Sequence, residues 1–81
     1  MTPLDLNGKR FAITGTLPIV RAEATAKLES LGGIYKTRVT LDTDFLIVGT
    51  LHKVSNKLAR AKAFQQAGYS LVILDGATVF A

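Results

Sequence analysis

The chain has 81 residues, 48% hydrophobic and 7% aromatic, with no cysteine and a formal net charge of +4; its pI is near 9.8. This is the composition of one small globular domain, which buries roughly 60–65% of the surface its unfolded chain exposes and so has a thin core. It excludes a disulfide framework and a thiolate site, contains no apolar run near the ~20 residues of a membrane-spanning helix, and favours an anionic partner such as nucleic acid.

Met1–Leu6 reads as a leader and residues 7–81 as a single domain. The opening stretch MTPLDLNGKR carries no signal-peptide apolar run. Asn7-Gly8 is a turn pair directly before a first strand, about Arg10–Thr14, whose apolar middle Phe11-Ala12-Ile13 suits a central strand of a parallel sheet. The strand stops at Thr14-Gly15-Thr16, where Gly15 permits a sharp turn between two hydroxyls. A loop with Pro18 leads to a helix over about Val20–Leu31, with Ala24, Leu28 and Leu31 on one face. Glu23 and Lys27 form an i,i+4 pair in the favourable order, and Gly32-Gly33 ends the helix.

A second strand begins at Ile34–Lys36 and extends towards Val39. After the polar turn Thr40–Thr43 comes the strongest strand signal, Asp44–Gly49, with Phe45–Val48 expected to be fully buried. A loop with the chain's one histidine, His52, precedes a helix capped by Ser55 or Asn56 and running to about Ala67. Leu58, Ala61 and Phe64 or Gln65 repeat at helical spacing there, and Gly68 closes the helix. Leu71–Leu74 reads as a fourth strand, and Asp75 as the N-cap of a last, short helix. The order β-α-β-β-α-β-(α) argues for a parallel α/β sheet with helices on both faces. The short link between the second and third strands argues instead for an antiparallel hairpin there, and the pattern alone leaves both open.

The stretches LNGKRFAITGTL, RAEATAKLESLGG, TDFLIVG and SNKLARAKAF, followed by an apolar strand and an acidic turn, resemble a BRCT domain from Leu6 to Phe80. The features that match in order are the Thr-Gly corner after strand one, the Gly-Gly after helix one, the T-D-x-L-I-V-G strand and the S-x-K-L start of helix two. Within the family the chain is similar to the subclass found in bacterial NAD-dependent DNA ligases, the large subunit of eukaryotic clamp loaders and some polymerase-associated exonucleases. The resemblance implies a four-stranded parallel sheet in the order 2-1-3-4, with two main helices and a short C-terminal one. One departure is that the family commonly carries a tryptophan in the last helix, and this chain has none.

In a parallel sheet the ends of strands one and three share one edge with the starts of the helices that follow them, the usual binding edge of open α/β sheets. Thr14, Gly15, Arg21 and Lys57 then converge from three segments. They offer a hydroxyl, a backbone N–H, a guanidinium and an ammonium beside two helix N-termini, a set suited to a phosphate. The resemblance implies the same site: Thr14, Gly15 and Lys57 match the family's phosphate-pocket positions, and Arg21 matches an arginine of the members that bind 5′-phosphorylated DNA ends. Each has a plainer reading: a local strand-end hydrogen bond for Thr14, a turn for Gly15, solvated surface charge for Arg21 and Lys57. Thr16, Lys53, Asn56, Arg60 and Lys62 are secondary candidates for DNA-backbone contacts. Tyr35 and Tyr69 are candidates for base stacking or for edge packing.

The chain shows no P-loop, no G-x-G-x-x-G, no metal-ligand cluster and no Ser-His-Asp or Cys-His set. The expectation is therefore a non-catalytic module without cofactor or metal, in which DNA with a 5′-phosphorylated end or nick is the partner. Phosphopeptide recognition, or docking within a larger ligase or exonuclease, is the alternative. The resemblance places such a module in the bacterial cytoplasm, at the nucleoid, or in the nucleus of a eukaryote.

Overall fold

Phe11, Ala12 and Ile13 are fully buried, and the strand that they form, β1 (Arg10–Thr14), lies inside the sheet. The computed structural model describes residues 6–51 and 55–80. After β1 come α1 (Arg21–Ser30), β2 (Ile34–Tyr35), β3 (Phe45–Val48), α2 (Asn56–Gln66), β4 (Val72–Asp75) and α3 (Gly76–Val79). The four strands form one parallel sheet in the order β2-β1-β3-β4, the α/β architecture that the resemblance implies.

The hairpin rule fails for a topological reason. β2 and β3 both pair with β1, on opposite sides, through Phe11↔Tyr35 and Phe11↔Phe45. The link between them crosses β1 rather than turning back, so it is bound by no hairpin geometry. It carries Val39 into the core and closes with a turn in which Thr43 Oγ1, itself buried, accepts the Thr40 N–H at 2.9 Å. Asp44 then ties three strands together. Its carboxylate accepts the Arg10 N–H at 2.9 Å, its N–H donates to Arg10 O, and its carbonyl accepts from Val72 N.

Strand alternation divides the core in two. Phe11, Ile13 and Ile47 point to one face and meet Leu28 of α1, with Val79 and Phe80 at the chain's end packed against them. Ala12 and Leu46 point to the other and meet Ala61 of α2, Val39 and Leu71. The tyrosines are engaged in edge packing, Tyr35 against Phe11 with ring centroids 5.6 Å apart and Tyr69 against Phe64 at 5.9 Å.

Four expectations need correction. Leu31 does not share the buried face of Ala24 and Leu28: it is the residue after α1 and is half exposed. Its N–H donates to Leu28 O, an i→i−3 bond that tightens the last turn and swings the side chain off the stripe. The second strand ends at Tyr35, and the buried Val39 belongs to the crossing link. Phe45 and Val48 are half-buried, because they are the ends of β3; Leu46 and Ile47 are the fully buried pair. Leu6, grouped with the leader, sits in the α1-side core at 0% exposure, while the rest of that leader lies outside the described residues. Leu6→Ala is therefore expected to cost about 2–4 kcal/mol, read as a lowered urea midpoint with an unchanged m-value.

Candidate phosphate and nucleic-acid site

Parallel pairing puts the ends of β1 and β3 and the starts of α1 and α2 at one edge. Thr14 is the last residue of β1 and lies on the α2 side, in step with Ala12. Its Oγ1 is 2.7 Å from the Ser55 Oγ. Ser55 is the N-cap of α2, and its Oγ also accepts the Leu58 N–H at 3.1 Å. A hydroxyl has one proton and two lone pairs. When Ser55 donates to Thr14, the Thr14 proton is free to point at a ligand. Ser55 is the site residue that the sequence reading placed only as a possible cap; its signal was its position, two residues before Lys57.

Gly15 follows with φ +83, and a Cβ there would meet Thr50 O at 2.9 Å, so both conformation and space demand glycine. Its carbonyl accepts from Arg21 Nη2 at 2.8 Å, which folds the guanidinium back over the corner. The next residue, Thr16, makes an antiparallel bridge to Thr50 with hydrogen bonds of 2.9 and 2.8 Å. That bridge ties the loop after β1 to the loop after β3. It needs Gly49, where a Cβ would fall 2.3 Å from Thr16 O.

Lys57 reaches across from α2 and donates from Nζ to Ile13 O at 3.0 Å. Partial burial of the ammonium, and then the Arg21 charge beside it, push the Lys57 pKa below the ordinary lysine value. Two cations therefore share the corner, and among the described residues the salt bridge found is elsewhere, between Arg10 and Asp42. Val20, the N-cap of α1, makes no side-chain cap hydrogen bond, so no N-cap side chain takes up the first-turn amides of α1. Glu23 in that turn is an acidic counterweight. Among the described residues no group of three or more His, Cys, Asp or Glu could hold a metal.

The matching family is the BRCA1 C Terminus (BRCT) domain, over residues 1–65. The chain belongs to the BRCT family. This BRCT domain is 47% identical over 73 residues to a DNA ligase of Dichelobacter nodosus, covering 89% of the chain and 10% of the ligase. It is 41% identical over 63 residues to a DNA ligase of Thermodesulfovibrio yellowstonii, covering 78% and 9%. For a DNA ligase of Dehalococcoides mccartyi the figures are 44% over 62 residues, covering 75% and 9%. The chain thus spans about a tenth of the length of these relatives.

The four primary candidates of this BRCT domain, Thr14, Gly15, Arg21 and Lys57, are brought together by the contacts above. Of the secondary ones, Asn56 and Arg60 line a groove with Lys57, Thr37, Arg38 and Val39. Thr16 faces a separate pocket with Leu17, Pro18, Gly49, Thr50, Asp75 and Ala77. Lys62 is exposed and lines neither. Lys53 and His52 lie outside the described residues.

The lowered Lys57 pKa has a definite sign. In the free domain the charged form is disfavoured relative to the unfolded chain. Its cost to stability stands below the lowered pKa and is relieved as pH rises towards the ordinary value. A phosphate in the corner favours the ammonium and moves the pKa up. NMR titration of the Lys57 side chain is expected to show this rise on saturation with phosphate, and no shift would place the anion elsewhere. Ser55→Ala is expected to cost about 1 kcal/mol in thermal unfolding through the lost cap, and to weaken anion binding through the lost partner of Thr14.

Proposed function

We propose that this BRCT domain is a non-catalytic DNA-binding module that recognises a 5′-phosphorylated end or nick in replication or repair. The observation that carries this reading is the convergence at one sheet edge of the Thr14–Ser55 hydroxyl pair with two cations, Arg21 and Lys57. A terminal phosphate has enough acceptor oxygens and enough charge to satisfy all of them at once, which a neutral ligand has not. The net charge of +4 supports a polyanionic partner. So does similarity to segments of proteins named as DNA ligases. In this reading the domain would serve a larger protein whose catalytic residues lie elsewhere, in the compartment that holds the DNA.

The test is fluorescence anisotropy at one moderate salt concentration, with a short duplex carrying either a 5′-phosphate or a 5′-hydroxyl. The expected preference for the phosphate is tenfold or more, about 1.4 kcal/mol. Thr14→Ala and Lys57→Ala are expected to remove most of that preference while circular dichroism stays that of the native fold. Equal, steeply salt-dependent binding of the two duplexes would overturn the reading in favour of nonspecific backbone attraction.

A further inference from the structure

The groove beside Lys57 has a volume of about 230 Å³ and is walled by Thr37, Arg38 and Val39 of the crossing link and by Asn56, Lys57 and Arg60 of α2. Among the described residues that line it, three of six are cationic and none is acidic. Arg38 and Arg60 are exposed. The salt bridge found among the described residues, Arg10–Asp42, involves neither. Lys57 and Arg60 stand at i and i+3 on α2, so both leave the helix on the face that lines the groove. Arg38 faces the same groove from the opposite wall, so a ligand lying in it meets positive charge on both sides.

The groove borders the corner through Lys57, which lines it while its Nζ is fixed on Ile13 O near the end of β1. We propose that this groove holds the first internal phosphodiester of the strand whose 5′-phosphate occupies the corner, so that the strand leaves the site between Arg38 and Arg60. This inference rests on the 5′-phosphate reading and adds the path of the strand to it. The wall residues are polar or charged apart from Val39, which is buried. The groove therefore offers charge and hydrogen-bond donors to a backbone phosphate.

The experiment uses a 5′-phosphorylated duplex in which the first internal linkage of that strand is either the natural diester or a neutral methylphosphonate. Wild-type protein is expected to lose at least threefold in affinity on the neutral substitution. The double variant Arg38→Ala/Arg60→Ala is expected to bind both duplexes alike, with a salt slope shallower by roughly one to two, while keeping its preference for 5′-phosphate over 5′-hydroxyl. The methylphosphonate comparison on wild type needs no variant and stands even if the double variant is unstable. Equal wild-type affinity for the two linkages, or a double variant as sensitive to the substitution as wild type, would overturn the strand path alone. Loss of the 5′-phosphate preference in wild type would overturn the corner reading, and the path with it.

Discussion

Every contact at the corner depends on β1 being paired on both sides by parallel strands. Arg10–Thr14 has β2 on one side and β3 on the other, and Phe11, Ala12 and Ile13 are buried on both faces; β2 pairs only Arg10 and Phe11, which leaves Ile13 O to accept Lys57 Nζ. Parallel pairing requires a crossover between neighbours, which brings each strand end to the edge where the next helix starts. Thr14, the α1 start and the α2 start are neighbours for that reason alone. The Asp44 carboxylate on the Arg10 N–H fixes the opposite end of the same strands, and the Thr16–Thr50 bridge fixes the loops beyond the corner. The corner is thus held from both ends before any ligand arrives.

Its electrostatics run against the interest of the free fold. Burial and a neighbouring guanidinium both disfavour the charge on Lys57. A carboxylate nearby would relieve it and would also fill the place of an incoming anion. The chain instead anchors the ammonium to a main-chain carbonyl and the guanidinium to another. Neutral acceptors orient cations without neutralising them, which preserves their attraction for a charged ligand. The stability cost is kept small because both groups retain contact with water.

The elements with a strong local signal were legible in the sequence. The apolar runs of β1 and β3, the Ala24–Leu28 stripe, and the Asp75 cap, which accepts the Ala77 N–H, follow from periodicity and capping chemistry. The strand order was legible only through family resemblance, because the length of the link after β2 says nothing about which strand lies between its ends. Leu31 was misplaced because the last turn of α1 tightens, and Leu6 and Val39 for another reason. Their burial is decided by how loops pack onto the sheet, and no repeat in the local sequence records that. The cations Arg21 and Lys57 could be named in advance. The hydroxyl partnership of Thr14 with Ser55 could not, since it joins residues 41 positions apart.

That separation matters beyond geometry. The corner joins Thr14 to Ser55, and Ile13 to Lys57 across 44 positions, so no short local segment of the chain contains it. An anion held there binds the assembled sheet and has no counterpart in the unfolded chain. By mass action such a ligand adds about 2.7 kcal/mol to stability at a concentration a hundredfold above its Kd. For a domain of 81 residues with a thin core, that is a large share of the whole. Occupancy and foldedness then become one equilibrium, and the domain would be most resistant to unfolding and proteolysis with an anion in the corner.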